Sequence, residues 1–447
     1  MPVISTVMML FAALLILFKK LFKISRLKRK CYEKTITLIL TGCAIHSGFS
    51  ADKYYPTING TYIIPQSTLR HPNSAKKTEQ TFNIIIKPTL QTQPPTTCET
   101  PASLACVYNL TPTTPGCPIA TSTITPATGA GKSIAIVDAY DYNAQASDLT
   151  TYVDEYGLPP ANLTIVGGGA GASCSLSDSL PSSQGWQDEH ILDLDMVHAM
   201  APAAAIYMVE ANSDSNDDLM NAEDCATSLV AQAGGGIVSN SWGSPESADE
   251  TNYDTHFQHP GVVYLVSSGD FSAPPNYPSA SPYVVSAGGT TILRNSQGNF
   301  INETGWSTTY SPLINQDIGS SGGPSLYEQR PPAQVFVEKI VGTARGTPDI
   351  SFDANPSTGV CIYSTFSGGW IQEGGTSVSA PALSGILSSA SYSAASSQDL
   401  LGYIYYQAVK GYHAYWNDQI IGNNGYPALA GYDFITGLGS PRGYNGK

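Results

Sequence analysis

The chain reads as an α/β protein built around a mostly parallel sheet, and two observations lead there. Short apolar runs rich in β-branched residues recur along it: SIAIVDAY (133–140), AAIYMVEA (204–211), GGIVSNSWG (235–243), GVVYLVSSGD (261–270) and YVVSAGGTTI (283–292). Such runs fit strands buried on both faces. Between them lie segments of helical character, ASDLTTYVDEYG (146–157), EHILDLDMVHAM (189–200) and DLMNAEDCATSLVAQAG (218–234). Strand alternating with helix implies parallel pairing through crossovers, and sheets of that kind carry their functional residues at the carboxyl ends of strands.

Composition narrows the function. The 447 residues carry 35 acidic against 21 basic side chains, a net charge of -14, which excludes a nucleic-acid partner that would need a basic face. Many bases cluster in KKLFKISRLKRKCYEK (19–34), between the apolar runs 3–18 and 35–51. The first run is a little shorter than the roughly 20 residues of a spanning helix. The second follows the basic cluster and ends in small residues, the order of a secretory signal peptide. Residues 1–51 are therefore expected to be a leader cut near Ala51, and the protein to be secreted. Membrane attachment through the first run, or through lipid on Cys43 in the lipoprotein-like LTGC (40–43), is the alternative.

Eight cysteines occur, and six remain beyond the leader, enough for up to three disulfides in an oxidising compartment. Their spacing fits no zinc site, and their pairing is not legible. Residues 52–97 are polar and read as an exposed extension, linker or propeptide remnant; residues 98–447 form one large folded domain. TGAGKS (128–133) imitates a phosphate-binding loop, but the leading glycine position holds Pro126 and the segment precedes a strand rather than following one.

Three segments carry chemistry. Glu189 and Asp193 stand four apart, so they project from one side of their helix, in a column continued by Met196, Val197 and Met200. Carboxylates heading a stripe fit for burial are costly unless paired, and like-charged neighbours raise one pKa, as proton transfer needs. A solvated helix exposing Asp188, Glu189, Asp193 and Asp195, or a cation site, is the other reading. In LVSSGDFS (265–272) a strand delivers Asp270 at its end, either to a cleft or to a simple Gly-Asp turn. In GGTSVSAPALSG (374–385) two glycines permit a sharp turn before Ser377, at the start of a helix read over 379–393 with Pro381 in its first turn. A serine there lies beside unpaired backbone N–H groups, which suits an oxyanion site and equally a helix cap. None of the seven histidines sits in an HGTH-like context and HExxH is absent, so no histidine base is indicated.

These segments together resemble the sedolisin family of serine-carboxyl peptidases. The matches run in order through IAIVDAYDYNAQASDLTTYVDEYGLP (134–159), EHILD (189–193), IYMVEANS (206–213), IVSNSWGSPE (237–246), SSGD (267–270), NYPSASPYVVSAGGTT (276–291), RGTPDISFDANPSTG (345–359), GGTSVSAP (374–381) and GYDFITGLGSP (431–441). The resemblance implies a subtilisin-like fold for 98–447 and a monomer that cleaves protein or peptide substrates. It makes Ser377 the nucleophile, Glu189 its general base, Asp193 the acid orienting that base, and Asp270 the oxyanion partner. It also implies that Ser241, Trp242 and Gly243 pair with substrate backbone. One structural Ca2+ would be held by Asp418 and Asp433 side chains and the carbonyls of Gln419, Leu429 and Gly431, an all-oxygen set for a hard cation. A carboxylate base and a protonated Asp270 imply activity at acidic pH. Two departures stand out: residues 52–97 are short for the family's propeptide, and SSGDFSAPP replaces Ser-Gly-Asp-Ser-Gly. An inactive secreted relative serving as a binding or surface protein is the alternative.

Overall fold

The computed structural model describes residues 64–65, 91–112, 114–119, 129–169, 173–175, 185–311 and 316–447. The leader, including Cys43, and most of the 52–97 extension lie outside the described residues. Helix α1 spans Pro101–Val107; the sheet begins with β1 (Ser133–Ala139), and α2 (Gln145–Tyr156), β2 (Asn162–Gly169) and β3 (Ser173–Ser175) follow. Next come α3 (Trp186–Met200), β4 (Ala205–Ala211), α4 (Asn216–Gln232), β5 (Gly236–Asn240), β6 (Trp242–Pro245), β7 (Val262–Ser267) and β8 (Asn276–Tyr277). The later elements used below are β9 (Val285–Arg294), β10 (Phe300–Gly305), β11 (Ile350–Asp353), β12 (Val360–Ser364), β13 (Gly369–Glu373), α5 (Thr376–Ser389) and α6 (Ser397–Tyr415).

The central sheet runs β10-β9-β7-β5-β1-β4-β2-β3, with β11 also paired to β9. Its interior pairings are parallel, and only the β9–β10 and β2–β3 pairs are antiparallel. Each apolar run supplies a strand with a core on both faces. On β1, Ile134 and Ile136 pack with residues of α3 and α5, while Ala135 and Val137 pack with residues of α4 on the other side. This is why the strands show no polar face.

Three disulfides, Cys98–Cys361, Cys106–Cys117 and Cys174–Cys225, use all six cysteines expected to be available. The end of the polar extension is more than a linker. Gln91 exchanges main-chain hydrogen bonds with Gly368 and Trp370, and the Thr97 hydroxyl donates to Gln372 at 2.7 Å. Further up the extension, Ile64–Pro65 pairs antiparallel with β6, Ile64 opposite Gly243 and Pro65 opposite Trp242. Elsewhere, Arg345 and Asp349 form a fully buried bidentate ion pair, with bonds of 2.6 and 2.5 Å, braced by Gln334 and Tyr405. Among the described residues no helix is long and apolar enough to cross a membrane.

Candidate active site

Helix α3 has no solvated acidic face. All fifteen residues from Trp186 to Met200 are buried, because α2, α5, the sheet and the β12–β13 hairpin pack around it. The hairpin supplies partners for one extra carboxylate: Asp188 accepts from Ser364 at 2.5 Å and from Ser367 at 2.8 and 2.9 Å. Glu189 and Asp193 occupy successive turns and are both fully buried.

Helix α5 starts at Thr376, earlier than the sequence indicates, and Ser377 therefore lies inside its first turn rather than before it. Gly375, at φ 109°, makes the entry, and a side chain at Gly374 would sit 2.5 Å from the Pro356 backbone. Pro381 then falls in the second turn. It has no N–H to offer the carbonyl four residues back, so the Ser377 carbonyl loses its usual helical donor. The Ser241 hydroxyl approaches that carbonyl at 3.5 Å and donates to Asp193 Oδ1 at 2.8 Å. One side chain just beyond β5 thus touches the acid of α3 and reaches toward the backbone of the serine on α5.

Asp270 follows β7 through Gly269, whose φ of 108° and 2.0 Å clearance from Asn276 Nδ2 leave no room for another residue. Its Oδ1 accepts the Thr376 main-chain N–H at 2.7 Å and the Thr376 hydroxyl at 2.9 Å. That hydroxyl in turn accepts the Gly269 N–H at 3.0 Å. Asp270 is thereby fastened to the residue beside Ser377.

The electrostatics favour protons on these carboxyls. Burial raises Asp193 well above the usual carboxylate range, and the charges of Asp138 and Glu189 raise it further against the Ser241 bond. Burial likewise raises Asp270, Thr376 opposes it with two hydrogen bonds, and Glu189 adds to the rise. Asp138, at the end of β1, is raised by burial and then by Glu189 and Glu210. Glu189 thus acts on three carboxyls from three other positions. The sequence does hold a signal for Asp138, a lone carboxylate in the apolar run SIAIVDAY, but nothing there says that it faces α3. His190 is not an alternative base. It is buried, its ring nitrogens stand 3.1 Å from the Ala139 carbonyl and 3.3 Å from Gln145 Oε1, and burial lowers its pKa to about 4.

The residues expected to meet substrate lie on and just before β6. Trp242 is fully buried, its indole N–H donating to the Val137 carbonyl at 3.0 Å, so its side chain anchors the strand. The main chains of Trp242 and Gly243 face Ile64–Pro65. Ser241 sends its side chain to Asp193 instead, a role not legible in the sequence.

The expected calcium ligands gather near the carboxyl end. Asp418 Oδ1 and the Gly431 carbonyl lie 3.2 and 3.1 Å from the Tyr412 hydroxyl, which also meets the Leu438 carbonyl at 2.7 Å. Asp433 Oδ1 accepts the N–H groups of Ile435 and Thr436, and its Oδ2 accepts that of Leu429. The Gln419 side chain turns away to Glu303 and Ser440. Asp418 and the Gly431 carbonyl share the Tyr412 hydroxyl, all oxygen donors of the type a hard cation takes, but among the described residues no three His, Cys, Asp or Glu side chains gather as a metal cage. Leu429 presents its N–H to Asp433 here, so it is the member of the set that matches least.

The Subtilase family model matches residues 164–400, just over half of the chain. Sedolisin from Pseudomonas sp. (strain 101) is 29% identical over 351 residues, covering 70% of this chain and 57% of that protein. Kumamolisin from Bacillus sp. (strain MN-32) is 28% identical over 350 residues, with 70% and 59% covered. Tripeptidyl-peptidase 1 from Dictyostelium discoideum is 26% identical over 363 residues, with 71% and 54% covered. The chain therefore spans little more than half the length of these relatives. A solved structure of Pseudomonas sedolisin, a serine-carboxyl proteinase complexed with two molecules of pseudo-iodotyrostatin, shares the fold at a TM-score of 0.62 and 24% identity, covering 77% of this chain and 95% of that one. The parallel sheet with flanking helices is accordingly subtilisin-like, like that of the sedolisins to which the chain is similar, and the chain belongs to the subtilase family.

Proposed function

We propose that the chain is a secreted peptidase that hydrolyses peptide bonds in acidic surroundings through an acyl-enzyme on Ser377. The observation that carries this reading is the meeting of four elements at one buried spot. Ser241 touches Asp193 and approaches Ser377, Thr376 ties Asp270 to the start of α5, and Glu189 acts electrostatically on Asp193 and Asp270.

In this reading Ser377 Oγ attacks the scissile carbonyl carbon and passes its proton to Glu189. The carbonyl π pair moves onto oxygen, where Asp270, protonated, and the Ser377 N–H stabilise the charge. Collapse of that intermediate breaks the C–N bond, and Glu189 returns the proton to the leaving amine. Water then attacks the ester by the same route and frees Ser377. Asp193 orients Glu189. Substrate lies antiparallel along Ser241, Trp242 and Gly243, in the manner of Ile64–Pro65. Asp270 donates only while protonated, which is why activity belongs at acidic pH. The disulfides and leader-like amino terminus support secretion.

Asp418 and Asp433, with the carbonyls of Gln419, Leu429 and Gly431, would hold one calcium ion, whose contribution is to fasten the carboxyl-terminal loops. The test is peptide hydrolysis against pH by wild type and Ser377→Ala. An acidic optimum lost in a still-folded variant is expected; full activity of the variant, or an optimum above about pH 8, overturns the reading.

A further inference from the structure

We propose that Thr376 is a positioning residue that dictates which oxygen of Asp270 carries the proton. The inference rests on the peptidase reading of this site and extends it to a residue outside the four expected to act.

The directions of three hydrogen bonds determine the proton's position. The Gly269 N–H points at Thr376 Oγ1 over 3.0 Å and occupies a lone pair of that oxygen. The hydroxyl proton is thereby turned toward Asp270 Oδ1, 2.9 Å away. The Thr376 main-chain N–H reaches the same Oδ1 at 2.7 Å. An oxygen that already receives two hydrogens is a poor seat for a third, which would face them. Asp270 Oδ2 is buried and meets no hydrogen-bond donor or acceptor among the described residues. When the carboxyl is neutral, its proton therefore resides on Oδ2, the atom left to face an oxyanion. The charged group acting on Asp270 from α3 is Glu189, and it too favours the neutral carboxyl.

The same bonds fix the carboxyl plane. Gly269 N–H, Thr376 Oγ1 and Asp270 Oδ1 form a closed chain between the end of β7 and the first residue of α5. Movement of Ser377 would thus carry Asp270 with it, which preserves the spacing of nucleophile and donor. Thr376 is fully buried and its hydroxyl faces Asp270, so it contacts the donor and not the substrate.

The experiment compares wild type, Thr376→Ser and Thr376→Val. Each is assayed for kcat and KM on a peptide, for binding of a peptide aldehyde, and for binding of the matching peptide alcohol. The aldehyde forms a hemiacetal with Ser377 and calls on the oxyanion donor; the alcohol does not. Removing the hydroxyl should lower kcat and aldehyde affinity by about tenfold or more while leaving KM and alcohol affinity nearly unchanged. The Ser variant should restore both. The upper pH limit of the kcat profile should also move to higher pH in Thr376→Val, because Asp270 loses one of the two donors that oppose its protonation. An unchanged aldehyde-to-alcohol ratio in Thr376→Val, or a Ser variant as impaired as Val, overturns the proposal. If Thr376→Val does not fold, Thr376→Cys against Thr376→Ser makes the same comparison of a weak with a strong hydroxyl-type donor. Wild type that neither cleaves peptide nor takes up aldehyde at any pH overturns the peptidase reading itself, an outcome distinct from failure of the Thr376 comparison.

Discussion

The Ser241 hydroxyl donates to Asp193 Oδ1 at 2.8 Å and stands 3.5 Å from the Ser377 carbonyl oxygen. It links Asp193 on α3 to the backbone of Ser377 on α5. On the proposed peptidase reading, Ser241→Ala should lower kcat/KM by about tenfold, the worth of one hydrogen bond to a buried carboxyl. Because that bond opposes the rise of Asp193, its loss should move the associated limb of the pH profile upward. Steady-state kinetics across the acidic range checks both effects; an unchanged profile would show that the bond is only structural.

Acid should stabilise the fold. Burial pushes Glu210 to about 7, Glu328 to about 7 and Glu250 to about 8. These folded-state values lie above those of an unfolded chain, so the native state binds the protons more tightly. Their contribution is complete below about pH 4.5 and is lost as pH rises through about 7 to 8. Calorimetry should find a higher Tm at about pH 4 than at about pH 8. A flat or rising Tm over that interval contradicts the burial of these carboxyls.

Removing one half of the buried Arg345–Asp349 pair should be far worse than removing both. Arg345→Met leaves Asp349 enclosed without its partner, at a cost of about 3–5 kcal/mol in denaturant unfolding. Adding Asp349→Leu should recover much of that loss. A mild effect of the single change would mean that the pair is not enclosed in solution.

Calcium should raise the Tm of the purified protein, and a chelator should lower it, by mass action on the folded state alone. Asp433→Asn should abolish the response while magnesium gives a weaker one. Thermal shift with metal titration reads this directly, and a protein indifferent to both ion and chelator would remove the metal assignment.

Much of the fold and of the candidate site's placement was legible in the sequence, and the misses have separate causes. The strands were readable because burial on both faces leaves uninterrupted apolar runs, as in SIAIVDAY. Ser377 and Asp270 were readable because glycines mark where each must turn. The start of α5 was displaced because Pro381 looks like a first-turn proline, whereas Gly374, packed against Pro356, and Gly375, at positive φ, set the real start. The wholly buried state of α3 was not readable, since Ser364 and Ser367, the partners of Asp188, come from a hairpin some 170 to 180 positions away. The attachment of Gln91 to the same hairpin depends on main-chain bonds, which leave no mark on side-chain pattern. Ser241 and Thr376 illustrate a general limit: a hydroxyl's partner is decided by direction, and sequence carries none.

The Cys98–Cys361 bridge joins residues 263 apart and so encloses most of the domain within one covalent loop. A single cut anywhere inside that loop leaves both pieces tethered. In a protease-rich setting the result is a nicked form that migrates as one species on a non-reducing gel and as two fragments only after a thiol is added.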